Sequence, residues 1–228
     1  MTKDLRTPNP AAGLSQSMEN YLKAIFEIVE HAERASTSSI AERMGIAPAS
    51  VTAMVKKLAE LHLVTHEPYQ GVQLTAVGEL AAVEVVRHHR LIEKYLAEAL
   101  GVPWDRVHDE AEKLEHVISE DLEDRISSAL GHPDTDPHGA PIPSRDGTIR
   151  RVEARRLCDV GANQPVTVVE VDDRDSELLR YLGDRGLYPG TRVEVLHVEP
   201  YGGSLKLRSG DGEFSIGRDA AAQIRVSA

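Results

Sequence analysis

One segment near the N-terminus restricts the fold of this chain more than any other. A capping cluster that begins at Ser36 opens a short amphipathic helix, which Gly45 closes, and Pro48 suits the first turn of a second helix that runs to about Leu61. Two short helices joined by a tight turn predict a helix-turn-helix, and the alternating segment LVTHEPYQGVQLT after them predicts a β-hairpin. The pattern therefore indicates a winged helix-turn-helix over residues 1–75.

The second helix of such a motif lies in the major groove of DNA, and the residues near its N-terminus reach the base edges. Here that face carries small and hydroxyl side chains, and two lysines further along suit phosphate contacts. The alternative is an αα-hairpin that only packs, but the hairpin after it and the paired lysines favour DNA binding. The candidate DNA-contacting residues are Ala47, Ala49, Ser50, Thr52, Ala53, Lys56 and Lys57.

The net charge of −11 opposes DNA binding less than it first suggests, because it is unevenly distributed. Residues 1–75 carry 7 basic and 8 acidic side chains, a net of −1. Residues 76–140 carry 6 and 15, a net of −9, and residues 141–228 carry 13 and 14, a net of −1. The acidic charge is therefore concentrated in the middle segment, where it can attract cations.

The middle segment predicts two long helices, from Thr75 to about Leu100 and from about Asp105 to Leu130. A short turn joins them, so they should pack antiparallel. On the second helix four side chains fall within an arc of about 100°, and on the first helix two side chains four residues apart share a face. The four are His108, Glu112, Glu115 and His116, and the two are His89 and Glu93.

Imidazole and carboxylate donors without a thiolate suit manganese, iron or zinc better than a cysteine-based structural zinc site. The alternative is a solvated acidic face, because further Asp and Glu residues surround the six candidates. From these residues alone the two interpretations remain equally open.

The C-terminal third predicts a separate small β module. Residues 131–165 are rich in Pro, Gly and Asp and are typical of a linker. Beyond them, short alternating segments separated by Gly-rich turns predict a β-barrel of about 65 residues, with one helix-like stretch, SELLRYLGDRGL, inside it. The strand-like segments lie around 166–171, 193–198, 204–208, 213–216 and 224–226.

Three features predict a cytoplasmic protein with no membrane association. No apolar run approaches the roughly 18 residues that span a bilayer. The first 17 residues lack the apolar core of a signal peptide. The single cysteine, Cys158, cannot form an internal disulfide and is expected to be a free thiol.

The order of these features resembles the diphtheria toxin repressor family of iron- and manganese-dependent regulators, over nearly the whole chain. The segments that carry the resemblance are MENYLKAIFEI, IAERMGIAPASVTAMVKKL, LTAVGE, RHHRLIEKYL, VHDEAEKLEHVISEDLEDRI and PHGAPIP. The run LLRYLGDRGLYPGTRVEV resembles the SH3-like domain of the longer family members.

The resemblance implies a mainly α fold with a small β part. A winged helix-turn-helix domain over 1–75 precedes a helical dimerisation and metal-binding domain over 76–140. A linker over 141–160 leads to an SH3-like domain over 161–228. The implied function is a homodimeric repressor of metal-uptake genes, which binds a double-stranded DNA operator when Mn²⁺ or Fe²⁺ is bound.

The resemblance also implies a primary and an ancillary metal site. The primary, activating set is Asn20, His89, Glu112, Glu115 and His116, although His89 belongs to either site depending on the branch of the family. The ancillary set is Glu93, His108, Asp136, His138 and one ligand from the SH3-like domain, for which Asp175 is the nearest candidate and Asp172 the second.

Three positions depart from individual branches of the family. Glu112 stands where iron-type members have Cys, which favours Mn²⁺ over Fe²⁺. Asn20 replaces an Asp or Met and is a weaker, neutral oxygen donor. Lys23 stands where the short manganese regulators have an acidic ligand, which argues against their two-metal centre here.

Two other functional classes stay open at this point: a metalloenzyme, and a metal-storage or interaction protein with a helical carboxylate–histidine site. A di-iron bundle would need two Glu-x-x-His pairs and two further Glu, which the chain lacks. An inverted zincin needs His-x-x-Glu-His, whereas Glu112 fills the first position here. These absences make an enzyme the less favoured class.

Overall fold

The computed structural model of the chain describes residues 11, 13–30, 32–67, 70–210 and 212–228. The chain divides into two compact units. Unit 1 comprises Met1–His88, Glu115–Val117 and Pro143–Thr148, and unit 2 comprises His89–Leu114, Ile118–Ile142 and Ile149–Ala228. The first ten residues, which bear on the predicted location, and the wing residues Pro68 and Tyr69 lie outside the described part.

The helices and strands of unit 1 follow the predicted winged helix-turn-helix. Ser36 accepts a hydrogen bond from the Ser39 backbone N–H and caps the second helix, and Gly45 ends it in the left-handed conformation with φ of 64°. The Ser15 side chain accepts a hydrogen bond from the Met18 N–H and caps the first helix. The elements are α1 Gln16–Val29, α2 Thr37–Met44, α3 Pro48–Glu60, β1 Val64–Glu67, β2 Gly71–Leu74 and the start of α4 Ala76–Leu100.

The wing and the start of α4 pack closely against the helix-turn-helix core. Strands β1 and β2 pair antiparallel, with Val64 opposite Leu74. Thr75 caps α4, since its hydroxyl accepts a hydrogen bond from the Gly78 N–H. A Cβ on Gly78 would lie 1.8 Å from the Leu63 carbonyl oxygen, so only glycine permits this approach. The fully buried apolar side chains of this unit include Leu22, Ile25, Ile40, Val51, Leu58 and Val72.

Unit 2 begins with the second half of α4 and continues with two shorter helices, α5 Val107–Leu114 and α6 Glu120–Ala129. The prediction of one helix from Asp105 to Leu130 is therefore wrong. Ser119 accepts a hydrogen bond from the Leu122 N–H and starts a new helix. The first turn of this helix carries three acidic side chains, which interact favourably with the positive end of the helix dipole. Glu115 and His116 lie in the turn between the helices rather than on a helix face.

The C-terminal part of unit 2 is a six-stranded antiparallel sheet in the order β3-β8-β4-β5-β6-β7. The five predicted strands are present, and Leu157, Val168, Leu179, Val195 and Leu207 are among the buried apolar residues of its core. The short strand β3 and the helix α8 were not predicted. The elements are β3 Arg155–Arg156, β4 Gln164–Val171, α7 Ser176–Gly183, β5 Arg192–Val198, β6 Leu205–Ser209, β7 Gly212–Ile216, α8 Arg218–Ala222 and β8 Ile224–Ser227.

Within unit 2 the Pro-rich segment after α6 lies directly against β4. The Val171 N–H donates to the His138 carbonyl oxygen at 2.9 Å. A Cβ on Gly139 would lie 1.9 Å from the Val169 carbonyl oxygen, so the two backbones approach as closely as glycine allows. This contact holds His138 beside the end of β4, where a candidate site is formed. No described helix has the length and apolar character needed to cross a bilayer.

Candidate metal centre and nucleic-acid interface

Six histidine and carboxylate side chains of unit 2 come together in one place, which we call the buried cluster. They come from four segments: α4, α5, the Pro-rich segment after α6 and the loop between β4 and α7. Three of them, Glu93, Asp136 and His138, are at most 2% exposed. The members are His89, Glu93, His108, Asp136, His138 and Asp173.

Glu93 lies at the centre of the buried cluster. Its Oε1 is 3.1 Å from His89 Nε2 and 3.3 Å from His108 Nδ1. Its Oε2 is 3.7 Å from His138 Nδ1. Asp173 Oδ2 lies 3.3 Å from His108 Nδ1 and 3.9 Å from His138 Nδ1. Nitrogen and oxygen donors at these separations suit a divalent cation such as Mn²⁺ or Fe²⁺.

Three atoms of the buried cluster lack a hydrogen-bond partner within the described part of the chain. They are Glu93 Oε2, Asp136 Oδ2 and His138 Nδ1. A buried polar atom without a partner is costly, so native proteins usually pair such atoms with protein, water or an ion. These donors therefore fit a bound metal ion.

Hydrogen bonds behind the cluster orient two of its members. His138 Nε2–H donates to the Trp104 carbonyl oxygen at 2.7 Å, which directs Nδ1 towards Glu93. Asp136 Oδ1 accepts from the backbone N–H groups of His138 and Ala140 at 2.8 and 3.0 Å, which leaves Oδ2 for other partners. Such outer hydrogen bonds are typical of metal ligands because they fix the donor atom and its direction.

Burial and the cluster's own charges shift its protonation. Burial alone would lower the pKa of His138, but the nearby carboxylate of Glu93 outweighs it and raises the pKa to about 9. For His108, burial is likewise outweighed by Asp173 and Glu93, and the pKa rises to about 11. Burial raises the pKa of Asp136 to about 7, and the charge of Glu93 adds to the rise. Protons and cations therefore compete for the same atoms.

The structure does not bring Asp175 or Asp172 into the buried cluster as the ligand from the SH3-like domain. Asp175 Oδ1 accepts hydrogen bonds from the N–H groups of Glu177 and Leu178, so this residue is the N-cap of α7. The Asp172 carboxylate accepts hydrogen bonds from the Arg174 side chain. Asp173 lies in the cluster instead. Since Asp175 directly precedes the helical pattern SELLRYLG, its capping role was readable from the sequence.

Glu112, on α5, lies near His89 and His108 of the buried cluster. Its Oε1 is 4.0 Å from His89 Nδ1 and 3.8 Å from His108 Nε2. The His89 ring thus has one nitrogen near Glu112 and the other near Glu93. The assignment of His89 to one metal site or the other stays a prediction.

The other residues of the predicted primary set, Asn20, Glu115 and His116, belong to unit 1. His116 Nε2 is 3.3 Å from Glu115 Oε1, and its Nδ1 is 2.5 Å from Glu19 Oε2. The Asn20 Oδ1 atom is buried without a hydrogen-bond partner in the described structure. Glu19 was not among the predicted ligands, and its signal in the sequence is an acidic side chain next to the weak donor Asn20.

Lys23 lies beside Glu115, at the position where the resemblance implies an acidic ligand in the short manganese regulators. Its Nζ donates to Glu115 Oε1 at 3.0 Å and to Oε2 at 2.8 Å, and both residues are buried. The positive charge of the Lys23 ammonium group offsets the negative charge of the Glu115 carboxylate when no metal is bound. A cation that binds Glu115 must compete with the Lys23 ammonium group.

The candidate nucleic-acid interface is the outer face of α3. All seven predicted DNA-contacting residues are exposed, while Val51, Val55 and Leu58 on the opposite face are buried. The Thr52 hydroxyl donates to the Pro48 carbonyl oxygen at 3.1 Å, and the small Ala and Ser side chains leave the helix backbone accessible. A helix with this face can lie in the major groove.

Comparison with protein families accounts for nearly the whole chain. The model "Iron dependent repressor, N-terminal DNA binding domain" matches residues 13–72. The model "Iron dependent repressor, metal binding and dimerisation domain" matches residues 75–144, and the FeoA domain matches residues 155–228. The FeoA match covers the part of the chain predicted to be SH3-like.

Individual proteins show the same relationship. The chain is 31% identical to the iron-dependent repressor IdeR of Mycobacterium leprae, over 93% of this chain and 97% of that protein. The chain belongs to the diphtheria toxin repressor family. A solved manganese-dependent transcriptional repressor in complex with manganese superimposes with a TM-score of 0.87 and 38% identity, over 92% of this chain and 98% of that one. The manganese regulator SloR superimposes with a TM-score of 0.77 and 31% identity, over 92% and 97%.

Membership of the diphtheria toxin repressor family decides between the functional classes that the sequence left open. The chain is a metal-dependent, DNA-binding transcriptional repressor and not an enzyme. Its fold combines the helical DNA-binding and dimerisation domains of the family with the C-terminal β domain.

Proposed function

We propose that this repressor acts as a cytoplasmic homodimer, which binds a near-palindromic operator when Mn²⁺ is bound and controls genes for metal uptake. Fe²⁺ is the weaker activator in this proposal. The observation that carries it is the buried cluster, where three buried atoms have no hydrogen-bond partner within the described part of the chain and lie among carboxylate and imidazole donors. The match of residues 75–144 to a metal-binding and dimerisation domain supports both the metal and the dimer.

The preference for Mn²⁺ rests on the chemistry of the donors. Carboxylate oxygen is a hard ligand and suits Mn²⁺, whereas a thiolate favours later and softer metals. The predicted primary set contains Glu112 where a thiolate would shift this balance. The only cysteine, Cys158, is buried in the core of the sheet, where it packs with apolar residues.

Activation would follow from differential binding of the metal to two arrangements of the dimer. Glu115 and His116 lie beside α1, through Glu19 and Lys23, and α1 packs against α2 and α3. A cation held by this set would favour one placement of the two α3 helices, in which they fit successive major grooves about 34 Å apart. Bound metal supplies positive charge that ties these carboxylates and imidazoles together.

Operator binding measured with and without metal tests the proposal. Promoter fragments are screened by fluorescence anisotropy with chelator-treated protein, with Mn²⁺ and, anaerobically, with Fe²⁺. We expect binding only with metal and at the lower concentration for Mn²⁺. Equally tight binding by chelator-treated protein would contradict metal activation, and a lower midpoint for Fe²⁺ would contradict the metal preference.

A matched pair of variants separates the two proposed sites. His116→Ala should abolish operator binding at every Mn²⁺ concentration, because it removes a ligand of the activating set. His138→Ala should still permit operator binding at saturating Mn²⁺, with a higher midpoint. Equal loss of operator binding in both variants at saturating metal would contradict the division into an activating and an ancillary site.

A further inference from the structure

We propose that the buried cluster binds two divalent cations at once, with Glu93 as the carboxylate that bridges them. This inference rests on the proposed metal-activated function and deepens it, because it assigns the number of ions in the cluster and the ligands of each. It treats the ancillary site as a dinuclear centre rather than a single-ion site.

The donor atoms of the buried cluster form two groups rather than one. Within each group, every pair of donor atoms lies within 4.8 Å. Glu93 is the only residue that belongs to both groups. The first contains His89, Glu93, His108 and Asp173, and the second contains Glu93, Asp136 and His138.

The two oxygens of Glu93 face different groups. Oε1 lies 3.1 Å from His89 Nε2 and 3.3 Å from His108 Nδ1, both in the first group. Oε2 has no hydrogen-bond partner in the described structure and lies 3.7 Å from His138 Nδ1, in the second group. A carboxylate with one oxygen towards each of two donor sets has the geometry of a bridging ligand.

The spacing of the first group matches that of neighbouring ligands in an octahedral coordination shell. Ligands at about 2.1 Å from an octahedral cation are separated by about 3.0 Å along each edge. The distances of 3.1 and 3.3 Å around Glu93 Oε1, and of 3.3 Å between His108 Nδ1 and Asp173 Oδ2, are close to that value. The donors of the first group are therefore placed to hold one ion without the second group.

The second group has its own donor atoms, which an ion bound to the first group would not contact. Asp136 Oδ2 and His138 Nδ1 are buried and have no hydrogen-bond partner in the described structure, and each residue is oriented by hydrogen bonds on its other side. Arg90 Nε approaches Asp136 Oδ2 only to 3.9 Å, which is beyond hydrogen-bond distance. A second cation would satisfy Asp136, His138 and the outer oxygen of Glu93 together.

The carboxylates of the buried cluster suit bound cations. Three carboxylates, those of Glu93, Asp136 and Asp173, approach one another in a site where two of them are almost fully buried. Such a concentration of carboxylates attracts cations to the site. Two-metal centres in proteins place their ions about 3.5–4 Å apart, a separation that one bridging carboxylate spans.

Counting bound Mn²⁺ in the full-length protein tests the inference. The His116→Ala variant is used so that the proposed activating site does not contribute, and ions per chain are counted by native mass spectrometry. We expect two. Low-temperature electron paramagnetic resonance of the same sample should show the spectrum of an exchange-coupled Mn²⁺ pair. A single ion per chain, or the hyperfine pattern of isolated Mn²⁺ alone, would overturn the inference.

Two further changes in the same background assign the ligands. His108→Ala should remove the ion of the first group and His138→Ala that of the second, so each protein should retain one uncoupled ion. Glu93→Gln should abolish the exchange coupling, because an amide cannot bridge two cations through two oxygens. Circular dichroism checks that each variant is folded. If a variant does not fold, the count and the spectrum of the His116→Ala protein decide by themselves.

Operator binding by the wild-type protein separates this inference from the proposed function. Metal-dependent operator binding together with one uncoupled ion in the cluster would overturn the dinuclear centre and leave the proposed function standing. Two coupled ions in a protein whose operator binding ignores Mn²⁺ would overturn the proposed function and support the dinuclear centre.

Discussion

Replacing Lys23 with Met should make the protein respond to less Mn²⁺ while loosening its metal-free fold. The Lys23 ammonium donates two hydrogen bonds to the buried Glu115 carboxylate, at 2.8 and 3.0 Å. A metal ion that binds Glu115 must displace at least one of them. Met has a similar length and no charge, so it fills the same space without competing for the carboxylate.

The magnitude follows from the geometry of the pair. A hydrogen bond between charged groups contributes about 1.5–3 kcal/mol, and every 1.4 kcal/mol changes an equilibrium about tenfold. Removal of one competing bond should therefore lower the Mn²⁺ midpoint about ten- to a hundredfold. Breaking a buried ion pair typically costs about 3–5 kcal/mol. Because His116 Nε2 also lies 3.3 Å from Glu115 Oε1, the metal-free protein should lose less stability than that.

Two measurements and one matched control test this expectation. Operator binding is titrated with Mn²⁺, and the chelator-treated protein is unfolded with urea. Lys113→Met removes the same unit charge from an exposed pair with Glu110, at 2.9 Å, and should change neither measurement. An unchanged or higher Mn²⁺ midpoint in Lys23→Met, with a normal Lys113→Met protein, would refute the competition between ammonium and metal.

Three other predictions concern DNA contacts, metal preference and pH. Lys56→Ala should weaken binding similarly across DNA sequences and lower the salt slope of operator affinity by about one unit; a change of sequence preference with an unchanged slope would speak against a phosphate contact. Glu112→Cys should move activation from Mn²⁺ towards Fe²⁺, since a thiolate is a softer donor; anaerobic titrations with both metals, and with Zn²⁺ and Co²⁺ as controls, should show a changed ratio of midpoints. The Mn²⁺ affinity of the buried cluster should rise with pH, by about tenfold per pH unit for each proton that the metal displaces. The reason is that the raised pKa values of His138, about 9, and His108, about 11, keep both rings protonated near neutrality. Calorimetric titration of the His116→Ala protein with Mn²⁺ between pH 6.5 and 8.5 checks this expectation, and an affinity that does not change with pH would contradict it.

Local signals in the sequence were sufficient for the DNA-binding part. Ser36 and Gly45 begin and end α2 where the capping pattern places them, and Pro48 begins α3. Each of these assignments depends on backbone groups a few residues away, so neighbouring residues determine it. The exposed lysines of α3 follow from the same helical spacing.

Local patterns failed where two signals compete. Apolar spacing continues from α5 into α6, and it predicted one helix through Glu115 and His116. Ser119 ends that continuity, because its side chain starts a new helix. The two candidate ligands consequently lie in a turn, and an argument from helix faces could not have located them.

The sequence by itself determined the family and most of the elements of this repressor, and it predicted five of the six residues of the buried cluster, because caps, periodicity and motifs act over short stretches of chain. Only the tertiary structure decided which donors meet. Asp173 reaches His108 from a loop 65 positions away in the numbering, and Lys23 neutralises Glu115 across 92 positions. Such pairings depend on how β4 and α1 pack within their units, and interactions between neighbouring residues in the sequence do not determine that packing.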